Sequence, residues 1–174
     1  MLLKIFIALV IAVALVAVVI AMQPASYRVV RTTAIAAPPA AIYARISDFH
    51  NWNAWSPWAK LDPHMKQTFE GAPSGTGARY LWAGNSAAGE GSMAISEAVV
   101  NERVVIQLAF LKPFPSASKI TFSLRPEGSG TFVEWAMDGD STFASKAIQL
   151  FSSMDKMVGP DFEKGLAQLK SISK

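Results

Sequence analysis

The sequence predicts an α+β protein in which a curved antiparallel sheet wraps around a long C-terminal helix, with one apolar helix in front. Three observations predict this class. An uninterrupted apolar stretch lies near the N-terminus, a period-two alternation begins at Met65, and a helical period of 3.6 residues returns near Ser145. Half-polar strands and an amphipathic helix each have one apolar face. Packing the helix on the sheet buries both faces at once.

The N-terminal stretch contains no charged or polar side chain from Ile5 to Met22. A bilayer-spanning helix needs roughly 20 such residues. A cleaved signal peptide is the alternative, but its apolar core is typically about 7–15 residues long, and Ala21-Met22-Gln23 is a poor cleavage site. We therefore predict an uncleaved transmembrane anchor over residues 1–22, with residues 2–22 in contact with the membrane. A linker over 23–26 and one domain over 27–174 follow it.

The flanking charges say little about orientation, because Lys4 precedes the apolar stretch while Arg28 and Arg31 follow it. By the positive-inside rule these two sides are nearly equal. Since the flank before the stretch is short, we expect it to stay in the cytoplasm of a bacterial-type cell. The chain would then be a single-pass membrane protein whose domain is exported to the periplasmic side.

The composition excludes several classes of function. The chain has no cysteine, which rules out disulfides and thiolate chemistry. Its formal net charge is only +3, and its lysines and arginines are scattered without a basic stripe. We therefore expect no nucleic-acid partner.

The domain begins with a predicted strand over Tyr27–Ile35, followed by a proline-initiated helix over Ala40–Ser47. Alternating segments then predict a meander of strands joined by glycine-rich turns. An apolar stripe in the last 30 residues or so predicts the C-terminal helix. We expect Gly159-Pro160 to kink or split it, and Ser141 or Thr142 to cap its start.

The segment between the first helix and the meander places three of the five tryptophans within seven residues, at Trp52, Trp55 and Trp58. A tryptophan gains most from burial when its ring N–H also finds a partner. Such a cluster indicates either a cover over the core or the wall of an apolar pocket.

Four segments of the chain resemble a known superfamily. They are residues 36–43 (AAPPAAIY), 46–58 (ISDFHNWNAWSPW), 75–80 (GTGARY) and 161–166 (DFEKGL). The chain resembles the START-like (SRPBCC) superfamily over most of Tyr27–Lys174, in particular its polyketide cyclase/dehydrase-like and Bet v 1-type members. The resemblance implies a helix-grip fold with a cavity between sheet and C-terminal helix that accepts lipids, polyketides or other apolar ligands. It implies no single chemistry.

On this basis we predict that aromatic and methionine side chains line a ligand cavity. The predicted lining residues are Trp52, Trp55, Trp58, Tyr80, Trp82, Met93, Trp135, Met137 and Phe151. Plain core packing is the alternative for each of them.

No residue set predicts catalysis, a metal site or a cofactor. Two positions apart on a helix, Asp48 and His50 would not face each other, so we expect surface or capping roles for them. Arg79 and Glu90 are expected to pair across a hairpin, unless the register points Arg79 inward, where it would hold a ligand carboxylate.

The leading hypothesis is a membrane-anchored, non-catalytic domain that binds a hydrophobic small molecule or lipid. One alternative is an enzyme of the cyclase, aromatase or dehydratase type, which needs an acid or base inside the cavity. The other is an accessory interaction module of a membrane complex, which would use its surface.

Overall fold

The computed structural model describes residues 1–173. In chain order its elements are α1 (Leu2–Ala21), β1 (Ser26–Ile35), α2 (Pro39–Ile46), two 3₁₀ helices (Phe49–Ala54 and Pro57–Lys60), β2 (Lys66–Gly71), β3 (Ala78–Ala83), β4 (Glu90–Val99), β5 (Arg103–Lys112), β6 (Ser116–Glu127), β7 (Gly130–Asp140), α3 (Phe143–Gln149) and α4 (Met154–Ile172).

The seven strands form one antiparallel sheet in the order β1-β7-β6-β5-β4-β3-β2. β2 to β7 are a meander, and β1 closes the series by pairing with β7 from Ser26↔Asp140 to Ile35↔Thr131. Irregular pairing in β4, at Glu90/Gly91 and Ile95/Glu97, helps the sheet bend, because extra residues on one strand increase its local twist. The predicted α+β fold, a curved sheet with a C-terminal helix, is confirmed.

α1 is the predicted apolar helix. Its 20 residues make it about 30 Å long, and its mean hydropathy is 3.1 with only Ile20 buried. It is therefore long and apolar enough to cross a membrane, a property that signal sequences at an N-terminus share.

The tryptophan segment folds into the two 3₁₀ helices. Asp48 caps the first by accepting a hydrogen bond from the backbone N–H of His50, and Pro57 opens the second. The indole N–H of Trp52 donates to the carbonyl of Ile46 at 2.9 Å, and that of Trp55 donates to Arg45 at 3.4 Å. Both rings are thereby tied to the end of α2, with their polar atoms satisfied inside an apolar surrounding.

A cluster of aromatic rings fills one half of the space between the sheet and α4. Trp135 of β7 is fully buried and lies at its centre, stacked on Phe162 of α4 with ring centroids 4.1 Å apart. Phe122 and Trp55 lie 4.8 and 5.6 Å from Trp135. Gly165 allows α4 to approach the Trp135 ring closely, because a Cβ there would lie 2.8 Å from that ring.

The prediction that Gly159-Pro160 splits the C-terminal helix is wrong. α4 runs through Pro160, and the interruption lies earlier, between the end of α3 and Met154. Pro160 and Lys156 are exposed, so water can reach the Lys156 carbonyl that lacks its helical partner. Each of the two helices begins at a hydroxyl cap. At the start of α4, Ser153 accepts a hydrogen bond from the N–H of Lys156. At the start of α3, Thr142 accepts from the N–H of Ser145, as expected.

Arg31 of β1 holds α4 against the edge of the sheet. Its guanidinium donates to Asp155 at 2.7 and 3.1 Å and to Glu163 at 2.7 Å. Gly159 leaves room for this reach, since a Cβ there would lie 2.0 Å from the guanidinium. The hydrogen bonds from Arg31 hold the pKa of Asp155 below its ordinary value.

Gly165→Ala tests the close packing of α4 on Trp135. We expect a loss of about 1–3 kcal/mol in the free energy of unfolding, because the buried ring cannot move aside for the new methyl group. The gain in helix propensity, up to about 1 kcal/mol, offsets only part of this loss. Urea unfolding of the full chain measures it, with the exposed Ser171→Ala as control. A variant at least as stable as the parent chain would contradict the packing.

Asp155→Asn tests the ion pair with Arg31. The folded-state pKa of Asp155 is depressed, so the stabilisation is complete above the ordinary pKa of 3.8 and is lost as the pH falls through the folded value. We expect a small drop in melting temperature at pH 7 that fades below about pH 4. Asp161→Asn on the same helix is the control, because it removes the same charge but only an i,i+3 pair with Lys164 at 3.3 Å, which lies within α4 and does not join it to the sheet. An equal drop for Asp155→Asn at pH 3 and pH 7 would exclude a charge effect.

Candidate functional site

An apolar cavity of about 200 Å³ lies between the sheet and the first turns of α4. It occupies the half of the sheet at which β1 begins and β7 ends, which we call the α1 end. Its wall is formed by residues from β1, from the tryptophan segment and from β3 to β7, together with α4. These are Tyr27, Phe49, Trp52, Asn53, Ser56, Trp58, Ala59, Met65, Tyr80, Trp82, Ala88, Met93, Leu108, Phe110, Ser116, Ser118, Ile120, Met137, Met154, Val158 and Phe162.

The aromatic cluster around Trp135 closes the cavity toward the far end of the sheet. Phe162 and Trp52 belong to both: each packs in the cluster and also lines the cavity. On the opposite side the wall includes Ser116, which is exposed to solvent. Asn53, in the tryptophan segment, is a second exposed wall residue. The cavity therefore has an aromatic floor and reaches solvent at the α1 end, at Ser116, as well as at Asn53.

The polar groups of the wall are few and mostly paired. The Tyr27 hydroxyl and Ser118 Oγ share a hydrogen bond of 2.8 Å, and the Trp82 indole N–H donates to the carbonyl of Ala88 at 3.0 Å. Burial raises the pKa of Tyr80 above its ordinary value of 10.0; with or without that shift the hydroxyl is protonated at neutral pH and can donate a hydrogen bond. Among the described residues, no aspartate, glutamate, histidine, lysine or arginine lines the cavity.

Six of the nine predicted lining residues lie on the wall. They are Trp52, Trp58, Tyr80, Trp82, Met93 and Met137. On the strands, the alternation of side chains points these residues to the face covered by α4, as the period-two pattern predicts. Whether they bind a ligand stays a prediction.

The other three predicted residues lie elsewhere. Trp55 and Trp135 are fully buried in the aromatic cluster, so the core-packing alternative is the right one for both. Phe151 is 92% exposed, because it falls in the turn between α3 and α4 and not on a continuous helical stripe. The predicted placement of Phe151 in the cavity is therefore wrong. The backbone leaves the helical conformation between α3 and α4, although the apolar residues keep a helical spacing through this turn.

Several wall residues were not predicted as such, although most carry a recognisable signal. Leu108, Phe110 and Ile120 occupy the apolar positions of the alternating pattern that predicts their strands, and these positions face inward. Met154, Val158 and Phe162 belong to the apolar stripe of α4. Tyr27 is on the inner face of β1. Met65 lies in a loop, where no periodic signal exists.

Asp48 and His50 contact each other, contrary to the expectation from helical spacing. The carboxylate accepts from the His50 backbone and contacts the His50 ring Nδ1 at 2.8 Å. This is possible because Asp48 is the extended cap of a 3₁₀ helix, and its side chain folds back over the first turn. The expected capping role is confirmed, and the exposed His50 ring stacks on Phe69 at 4.1 Å.

Arg79 is exposed and pairs with Glu70 of the neighbouring strand at 3.8 Å. The expected pair with Glu90 is wrong, because Glu90 pairs with Lys112 at 2.9 Å. Arg79 does not line the cavity. Within residues 1–173, no group of three metal-ligating side chains comes together.

Solved structures of bacterial proteins share this fold. Protein CV1439 from Chromobacterium violaceum superposes with a TM-score of 0.60 at 17% identity, over 87% of this chain and 98% of its own. MLL2253 from Mesorhizobium loti gives 0.60 at 20% identity, over 85% and 99%. DynU16, a protein of the dynemicin biosynthetic locus, gives 0.55 at 14% identity over 83% of this chain and 46% of its own. At these identities the likeness shows the fold alone.

No curated protein matches the chain by sequence. A family model does: the one described as polyketide cyclase / dehydrase and lipid transport matches residues 26–173. The match begins at the first residue of β1 and extends over α4, so it includes every element that lines the cavity. The chain therefore belongs to the polyketide cyclase / dehydrase and lipid transport family.

Proposed function

We propose that this chain binds a small apolar molecule, a lipid or a lipid-like compound, in the sheet–helix cavity of a domain held at a membrane. Residues 1–22 would be the anchor, 23–26 the linker and 27–174 the binding domain, on the exported side. The observation that carries the proposal is the cavity of about 200 Å³ whose wall is almost entirely aromatic and aliphatic. Apolar walls with a few oriented polar groups are typical of small-molecule sites.

The size of the cavity limits the ligand. Sites for drug-sized molecules measure roughly 300–1,000 Å³, so a volume of about 200 Å³ favours a smaller molecule or one end of a longer chain. Four methionines, Met65, Met93, Met137 and Met154, line the wall. Since methionine side chains are flexible and polarisable, they allow the wall to adjust to the shape of the occupant.

The wall offers little for catalysis. General acid–base chemistry needs a titratable group within hydrogen-bond reach of the substrate, and the described lining residues supply only the hydroxyls of Tyr27 and Tyr80 as such groups. One of them, Tyr27, is already bonded to Ser118. This supports binding over turnover.

A cyclase or dehydratase activity is the second candidate function. The family description and the position of DynU16 in a biosynthetic locus favour it, and so does one feature of the wall. The Tyr80 hydroxyl lies on the cavity wall and would donate to a substrate carbonyl. In that case Tyr80→Phe would leave binding intact and stop conversion.

Ala88→Phe tests whether the cavity is the binding site. Ala88 lines the cavity while its neighbour Ala87 is exposed, so Ala87→Phe is a matched control in the same loop. With 1-bromonaphthalene as probe, quenching of tryptophan fluorescence in lipid nanodiscs measures affinity. We expect Ala88→Phe to weaken binding at least about tenfold, equal to about 1.4 kcal/mol, because the added ring occupies the cavity. Equal affinities for both variants would place the probe elsewhere.

Native mass spectrometry of the full chain released from nanodiscs tests whether a natural ligand is bound. We expect one apolar molecule per chain, and its loss in Ala88→Phe but not in Ala87→Phe. A ligand-free protein whose melting temperature does not respond to lipid or isoprenoid extracts would contradict the binding function. Such a result would favour an accessory interaction module.

A further inference from the structure

Six large apolar side chains are exposed around the α1 end of the domain. Together we call them the apolar rim: Leu111, Phe114, Phe143, Ile148, Leu150 and Phe151. Phe114, Phe143 and Phe151 are 66%, 60% and 92% exposed. Single exposed apolar residues, such as Leu61, Val100 and Met157 elsewhere on the domain, are ordinary, but six of them gathered at one end mark a contact surface.

The strand register places both parts of the rim at the same end. Leu111 is the next-to-last residue of β5 and Phe114 lies in the connection between β5 and β6, where the last pair of the ladder is Phe110↔Ser116. β6 lies beside β7, with Ser118 opposite Gly139, and β7 ends at Asp140, three residues before α3 begins. The β5–β6 connection and α3 therefore leave adjacent strands on the side where β1 starts.

The rim also lies where α1 meets the domain. α3 packs against α1, and Lys146 of α3 donates to the carbonyl of Ala21, the last residue of α1, at 3.4 Å. The backbone N–H of Ser141 donates to the carbonyl of Ala25 at 2.8 Å. Four residues separate α1 from β1, and even fully extended they span only roughly 14 Å. Any bilayer that holds α1 therefore comes close to the rim.

At Ser116 the cavity reaches solvent on this same side. The exposed wall residue Ser116 follows the β5–β6 connection directly, and Met154 follows the turn that carries Phe151. Tyr27, only one residue into β1, lines the cavity as well. The rim thus flanks the opening from two sides.

The geometry points to a second membrane contact in addition to α1: the apolar rim lies in the interfacial layer of the bilayer and holds the open side of the cavity against lipid. Phenylalanine and leucine side chains form the apolar faces of segments that lie in this layer, and Lys146, beside the end of α1, would face the lipid phosphates. The ligand would then pass between lipid and cavity without crossing water. This inference rests on the proposed anchoring of the chain by α1, because α1 fixes which surface faces the bilayer.

Site-directed spin labelling tests the contact, and the absence of cysteine from the chain allows single labelled positions. The variants are Phe114→Cys and Phe151→Cys on the rim, with Val100→Cys as the matched control. Val100 is an exposed apolar residue, 67% accessible, directly after β4 at the far end of the sheet. Val10→Cys in the middle of α1 reports on the anchor. All are measured in the full chain in phospholipid vesicles, by collision with oxygen and with a water-soluble nickel chelate.

We expect an oxygen-to-nickel collision ratio several-fold higher at Phe114 and Phe151 than at Val100, and highest at Val10. Rim positions equal to Val100 while Val10 lies in lipid would overturn the rim contact and leave the anchor standing. A water-accessible Val10 would overturn both the anchor and the contact. Spin–spin broadening at Phe151 that disappears on dilution with unlabelled chain would show that a second copy covers the rim, and would also overturn the proposal.

Discussion

The stack of Phe162 on Trp135 is the contact on which the rest of the domain depends. It fixes the separation between α4 and the sheet, and Gly165 allows the helix to come close at that point. Trp55 and Phe122 pack around the same ring, so the far half of the sheet–helix space is filled by buried aromatic side chains. Arg31 fixes the same helix at the sheet edge through Asp155 and Glu163.

Because α4 is held by this stack near its middle, a gap remains between its first turns and the half of the sheet at the α1 end. The rings of that half, such as Tyr80, Trp82 and Phe110, pack against one another, and together with the methionines and serines of the wall they leave the gap unfilled. The cavity is thus a consequence of where the aromatic volume lies along β7 and α4. Since the aromatic cluster fills the far half, the cavity lies in the half next to the connection with α1.

The fold could be predicted from the sequence because each element carries a periodic signal that no other element disturbs. Alternation over β4 to β7 and the apolar stripe of α4 are sufficient to place a helix on a curved sheet. The capping of α3 by Thr142 follows from local chemistry and was predictable for the same reason.

The candidate site was less predictable. The period of the apolar residues shows which face of a strand or helix a residue lies on, but it does not show where along that strand or helix the packed core ends. Trp135 and Met137 share the inner face of β7, yet one is in the core and the other lines the cavity. Phe151 was misplaced because a helix break at a serine cap leaves the apolar spacing nearly unchanged. Asp48 and His50 meet through a cap conformation that helical spacing does not describe.

The division of the core into a filled half and an open half is tested most directly by the electron density of crystals of the full chain under xenon pressure. Xenon enters preformed apolar cavities without needing a polar partner. We expect xenon between Trp82, Met137 and Met154, and none between Trp135 and Phe162. Absence of xenon from the α1 end, or its appearance within the aromatic cluster, would contradict this division.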